Sequence, residues 1–147
     1  MATLELTESY TIARDAMDAL RALANGAAPG FEVGGQLRPE GYRLVRFEAI
    51  RNVSNERGWY EPERWPLLPW TLVHSHPACR HAGPSEGDVA WMRHWARPLA
   101  VFEPETDSLI VWKLDPSKES GVRAVPVAVE ARPRSRPRPP RRPGRRG

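Results

Sequence analysis

The stretch formed by residues 70–95 constrains the fold more than any other, because it joins a strand, a short loop and a capped helix. In "WTLVHSH" the side chains alternate as in a strand, so His74 and His76 share one face. After eight intervening residues, "SEGD" matches the capping-box pattern, in which Ser85 and Asp88 begin a helix. An acid at the start of this helix can turn back toward the two imidazoles.

The first strong element along the chain is a predicted helix. Its apolar residues recur with helical spacing at Ala13, Ala16, Met17, Leu20, Leu23 and Ala24. Thr7 or Ser9 is a candidate N-cap, and Asn25-Gly26 is a candidate left-handed stop.

The remaining segments predict strands on either side of one irregular stretch. "FEVGGQL" and "YRLVRFEAI" are typical of strands, with Val45, Phe47 and Ala49 on one half-buried face of the second. The proline-bearing residues 52–69 predict an irregular excursion, "LAVF" and "LIVWKL" a hairpin, and "VRAVPVAV" a last edge strand. Strands alternate with helices first and then follow one another, which predicts an α/β domain with a mixed sheet flanked by few helices.

Composition divides the chain into a predicted domain, residues 1–130, and a predicted disordered tail, residues 131–147. The tail holds eight of the 22 basic residues and no acid, which leaves 14 basic against 18 acidic residues in the domain. With 13 of its 17 residues Arg or Pro, the tail has little apolar area to bury against its ordering entropy.

The cellular setting is predicted from what the sequence lacks. Cys79 is the only cysteine, so no intramolecular disulfide framework is possible. The N-terminal residues lack the pattern of a secretion signal, and no apolar run approaches a membrane span of about 18 residues. We expect a soluble, cytoplasmic protein with no membrane partner.

Two histidines and one carboxylate leave one tetrahedral position for water, as in catalytic rather than structural zinc sites. The residues alone leave two alternatives to a catalytic zinc site open. In the first, Asp88 and Ser85 form a capping box and bind no metal. In the second, Cys79 and His81 join His74 and His76 in a closed, inert zinc site.

The aromatic side chains have two possible roles. Trp91 and Trp95 are four residues apart on the second helix, so they pack together either in the core or as a wall near the site. Trp59, Tyr60 and Trp65, in the irregular stretch, either grip an extended peptide or cover the core.

"HSHP", a loop and "PSEGD" together resemble the motif of the JAB1/MPN/Mov34 (JAMM) metalloproteases, and "PGFEVGGQL" is similar to the family's glutamate segment. The resemblance covers approximately residues 4–115, and the loop before Ser85 is one residue longer than is usual in the family. It implies a deaminase-like α/β sandwich with one zinc ion held by His74, His76 and Asp88. Glu32 would be the acid/base acting through the zinc-bound water, and Ser85 would stabilise the oxyanion.

By the same resemblance, the substrate would be the C-terminal Gly-Gly tail of a ubiquitin-like or sulfur-carrier protein. Hydrolysis of an isopeptide or peptide bond and release of cysteine from a loaded sulfur carrier are both open. Two other classes of function remain. One is a non-catalytic MPN-like scaffold with the tail as its binding element, and the other is nonspecific binding of polyanions through the tail.

Truncation after Glu130 tests the division of the chain. We expect zinc content, melting temperature and turnover of a small peptide to stay unchanged, because the tail contains no motif residue. Retention on a polyanion column should fall steeply and lose its dependence on salt, because eight positive charges are removed. If the truncated protein unfolds, or loses activity on the peptide at every salt concentration, the tail belongs to the domain.

Overall fold

The computed structural model describes residues 8–76 and 83–131, and within these ranges the chain forms one mixed sheet and two helices. The elements in chain order are β1 (Tyr10–Ile12), α1 (Arg14–Asn25), β2 (Gly34–Glu40), β3 (Arg43–Ala49), β4 (Thr71–Ser75), α2 (Glu86–Trp95), β5 (Leu99–Glu103), β6 (Ser108–Leu114) and β7 (Val122–Val129). The predicted α/β class is therefore confirmed. Apart from Ala131, the predicted tail lies outside the described residues.

The sheet closes on itself, which the sequence pattern does not predict. Its strands follow the order β1-β3-β2-β4-β5-β6-β7, and β1 pairs in parallel with both β3 and β7. The last strand was expected at an edge, and this expectation is wrong, because β7 is paired on both sides. Pro126 is tolerated in it because β1 pairs only with the following residues, 127–129.

The two helices differ in how well their ends are predicted. α1 begins after Ala13 without a side-chain cap, because the residues that follow Ser9 form β1 instead of a first helical turn. The other candidate cap, Thr7, lies outside the described residues. Gly26 ends α1 with φ −86°, so the expected left-handed stop is also wrong. Neither helix of the described ranges is long and apolar enough to cross a membrane.

β3 has the predicted position but a different buried face. Arg38 pairs with Arg46 and Pro39 with Leu44, so Val45 is the extra residue of a β-bulge. The bulge shifts the alternation, so Leu44 is buried and Val45 only half-buried.

The helices pack on opposite faces of β4. Val73 belongs to the larger core, with the α1 residues Met17 and Leu20. Leu72 belongs to a smaller core, with Met92 of α2. Because side chains alternate along a strand, His74 shares the α2 face with Leu72.

Two glycines at the start of β2 allow this strand to lie close to its neighbours. A Cβ at Gly34 would lie 2.2 Å from the Val73 carbonyl oxygen of β4, and one at Gly35 would lie 2.0 Å from the Glu48 carbonyl oxygen of β3. These glycines look unfavourable for a strand by propensity, but only a residue without a side chain fits at either place.

We expect Gly35→Ala to reduce the free energy of unfolding by about 3 kcal/mol or more, because the added methyl group meets backbone atoms that cannot rotate away. Gly26→Ala is the matched control, since its Cβ would lie 3.5 Å from the nearest atom and φ is ordinary for alanine. Urea denaturation measures both. Equal stabilities of the two variants would contradict the close approach of β2 to β3.

Candidate metal centre

The carboxyl end of β4 presents the two predicted histidines. His74 and His76 are buried, and their ring centroids are 4.9 Å apart. His76 follows the last residue of β4, but its N–H donates to the Phe102 carbonyl of β5 at 2.9 Å. This hydrogen bond prolongs the strand geometry, so both imidazoles lie on the α2 face, as predicted.

The start of α2 brings Asp88 to both histidines. Asp88 Oδ1 lies 2.8 Å from His74 Nε2, and Oδ2 lies 3.2 Å from His76 Nε2. The same carboxylate completes a capping box, because Oδ2 accepts from the Ser85 N–H at 2.9 Å and Ser85 Oγ accepts from the Asp88 N–H at 3.1 Å. The capping box and the contact with the histidines are therefore not alternatives, since one carboxylate makes both.

Glu32 reaches the cluster from the other side. It lies two residues before β2 and is buried, with Oε2 3.5 Å from His74 Nδ1. Donor atoms of Glu32, His74 and His76 all lie within 4.8 Å of one another. The structure thus brings together all four residues that the sequence singles out for metal chemistry, with Asp88 and Glu32 facing different nitrogens of His74.

Asn52 and Ser75, for which no role is predicted from the sequence, hold the backbone around Glu32. Asn52 Nδ2 donates to the Glu32 and Trp59 carbonyl oxygens, each at 2.9 Å. Ser75 Oγ accepts from the Val33 N–H at 3.0 Å, and the Ser75 N–H donates to the Val33 carbonyl at 2.7 Å. An Asn in an irregular stretch signals side-chain bonding to the backbone, but a partner 20 residues away is not readable from the sequence.

Charge and burial oppose each other at His74 and Asp88. Burial lowers the pKa of His74, but the hydrogen bond and charge of Asp88, with the charge of Glu32, outweigh this and raise it above its ordinary value. Burial raises the pKa of Asp88, but the hydrogen bonds from His74 and His76 outweigh this and hold it far below its ordinary range. In the metal-free protein, protonation of His74 therefore strengthens its hydrogen bond to Asp88.

The donor atoms fit a divalent metal ion. In a tetrahedral zinc site the donors lie roughly 3.3 Å apart, because each is about 2.0–2.1 Å from the ion. The two contacts of Asp88, at 2.8 and 3.2 Å, are close to that spacing.

Cys79 and His81 lie outside the described residues, so the proposed closed site that includes them stays a sequence-based alternative.

The cluster lies in a cavity of about 240 Å³ that has aromatic walls. Trp59, Tyr60 and Trp65 line it from the irregular stretch, and Trp91 lines it from α2. Trp95 lies outside this cavity and is half exposed. Trp91 therefore has both of its expected roles, since it lines the cavity and packs against the smaller core. Trp59 and Trp65 line the cavity and are about half exposed, and whether they grip a peptide stays a prediction.

No protein-family model matches the sequence, and no curated protein matches it. Solved structures do. The solution structure of a protein from Desulfitobacterium hafniense is 20% identical, with a TM-score of 0.54, and the match covers 84% of this chain and 94% of that one. A crystal structure described as a JAB1/MPN domain protein from Archaeoglobus fulgidus is 19% identical, with a TM-score of 0.52, over 81% of this chain and 97% of the other. At such identities the likeness shows the fold, which is MPN-like.

A proton and a metal ion would compete for His74. We therefore expect rising pH to weaken the stabilisation of the metal-free protein by His74 and to strengthen the stabilisation by added zinc. In the metal-free protein the raised pKa of His74 stabilises the fold below its unfolded value of about 6.5, and the lowered pKa of Asp88 stabilises it above about 3.9. The stabilisation by the pair is therefore largest between these values, and the His74 part is lost as pH rises through its folded pKa.

Zinc can displace the proton of His74 more easily as pH rises, because a smaller fraction of the imidazole is then protonated. We expect the rise in melting temperature on adding zinc to be small at about pH 5 and to grow toward about pH 8. Calorimetry with zinc or with a chelator measures this rise. An increase that is independent of pH would show that the metal does not bind at the histidines.

Proposed function

We propose that the protein is a zinc-dependent metallopeptidase in which His74, His76 and Asp88 bind one zinc ion. The observation that carries this proposal is the convergence of two imidazoles and a carboxylate on a cavity that also has room for a substrate. A structural zinc site is closed by four protein ligands, whereas a catalytic site keeps one position open. Nitrogen and carboxylate donors in a small tetrahedral set favour zinc over magnesium or calcium.

Zinc bound there would polarise a carbonyl oxygen and lower the pKa of a water molecule toward about 7. The protein must still supply a proton acceptor. Glu32 is suited to this role, because its carboxylate is buried at the cavity wall and has an oxygen within 4.8 Å of a donor nitrogen of each histidine. It can take a proton from the attacking water and return it to the leaving amine.

Ser85 can stabilise the negative charge that develops on the scissile carbonyl. Its hydroxyl oxygen accepts the Asp88 N–H, so the hydroxyl proton is left for donation into the cavity that Ser85 lines. A donor of this kind, held in place before the reaction, lowers the barrier because it needs no reorganisation. The capping box fixes Ser85 relative to Asp88.

The substrate that we propose is the C-terminal tail of a ubiquitin-like or sulfur-carrier protein, cut after Gly-Gly. This part of the proposal is supported by the resemblance of "HSHP" and "PSEGD" to the JAMM motif and by the MPN-like fold.

Glu32→Gln tests the chemistry. If Glu32 is the base, the variant should keep its zinc and its melting temperature while turnover of a Gly-Gly-terminated fusion falls by about 10²–10⁴. Unchanged turnover would exclude Glu32 as the base. Loss of zinc in this variant would instead make Glu32 a ligand, in agreement with its place among the donor atoms.

His76→Ala tests the metal set, with Cys79→Ser as its control. We expect the alanine variant to lose zinc after dialysis, because one of the two imidazoles is removed. The serine variant should keep one zinc ion per chain by elemental analysis. If Cys79→Ser empties the site and Asp88→Ala does not, the site is the closed structural one and the proposed function is wrong.

A further inference from the structure

The cavity continues beyond the metal-binding residues into an apolar part. Along β4, Leu72 lies on the same face as His74, and residues two apart on a strand are separated by about 7 Å. Leu99 of the neighbouring strand β5 lines the cavity with Leu72, and both are buried. The side of the cavity formed by β4 therefore changes from the imidazole of His74 to the aliphatic side chain of Leu72 over two residues.

The helix wall changes in the same way. Asp88 and Trp91 are three residues apart, so they are neighbours on one face of α2. Asp88 faces the histidines, whereas Trp91 packs against the core that contains Leu72 and Leu99.

Two further aromatic rings cover both parts of the cavity. Tyr60 stacks on His74 with ring centroids 5.8 Å apart, and Trp65 stacks on Trp91 at 6.1 Å. The covering segment is fixed by hydrogen bonds at both ends, since Tyr60 donates to the Ile50 carbonyl at 2.9 Å and Arg97 donates to the Pro66 carbonyl at 2.9 Å. The apolar part is thus held in place before a ligand binds.

We infer that Leu72, Leu99, Trp65 and Trp91 form a specificity subsite for a large aliphatic or aromatic side chain next to the scissile bond. This inference rests on the proposed function, which places the scissile bond at the histidines. The described residues that line the cavity include no Lys or Arg, and its acidic groups, Glu32 and Asp88, lie at the histidine end. A bound water takes only about 30 Å³, so most of the 240 Å³ is left for the substrate.

The subsite also restricts the substrate. A glycine before the scissile bond brings no side chain, so in a Gly-Gly substrate the apolar side chain must come from the residue that follows the bond. A linear peptide bond to an apolar residue fits this requirement better than an isopeptide bond to lysine.

Succinyl hydroxamates with a methylamide end test the inference without turnover, because the hydroxamate group chelates zinc and a substituent on the carbon beside the amide takes the place of the side chain that follows the scissile bond. Calorimetric titration of the zinc-loaded protein should show the isobutyl- and benzyl-substituted compounds binding about 10 to 100 times more tightly than the unsubstituted compound, as expected for burial of a large apolar side chain. Equal affinities would overturn the subsite and leave the zinc centre in place.

Trp65→Ala should reduce this preference at least about threefold and leave the affinity for the unsubstituted succinyl hydroxamate unchanged, because it removes apolar area and no metal ligand. Trp95→Ala is the matched control, since Trp95 is 50% exposed and Trp65 46%, but Trp95 does not line the cavity. An equal loss in both variants would also overturn the subsite. If the unsubstituted succinyl hydroxamate binds equally well to zinc-free protein, the proposed function fails instead.

Discussion

The carboxylate of Asp88 makes the interaction on which the site depends. It accepts a hydrogen bond from the backbone N–H of Ser85, the N-cap of α2, and it contacts both histidines at the end of β4. One side chain therefore sets the position of the helix relative to the strand and the separation of the two imidazoles. A change at Asp88 would therefore remove a helix-capping group and a proposed metal ligand together.

The side of the site that contains Glu32 depends on close backbone packing instead of charge. Gly34 and Gly35 let β2 lie against β4 and β3 at distances that no Cβ allows, and this brings the residues before β2 to the histidines. Glu32 lies beyond the ladder of hydrogen bonds, so Asn52 and Ser75 hold its backbone and that of its neighbour. Because Asn52 also binds the Trp59 carbonyl, one amide fixes the acid/base candidate and part of the cavity wall together.

Much of the site is predictable from the sequence because its signals are local. Alternation along β4 and the capping box of α2 depend on neighbouring residues, and both predictions are confirmed. Closure of the sheet is not predictable, because a three-residue strand beside Ser9 has too few positions to show a period. The buried face of β3 is missed because a bulge at Val45 depends on the partner strand. The role of Asn52 is missed for the same reason, since its partners are distant in sequence.

Zinc is proposed to bind nitrogen and oxygen donors of β4 and α2. X-ray absorption at the zinc edge of the loaded protein distinguishes these donors from sulfur, because sulfur lies farther from zinc than nitrogen or oxygen does. We expect a single shell of light donors at about 2.0–2.1 Å, with imidazole scattering from two histidines. A sulfur contribution at about 2.3 Å would place Cys79 on the metal and contradict the assignment.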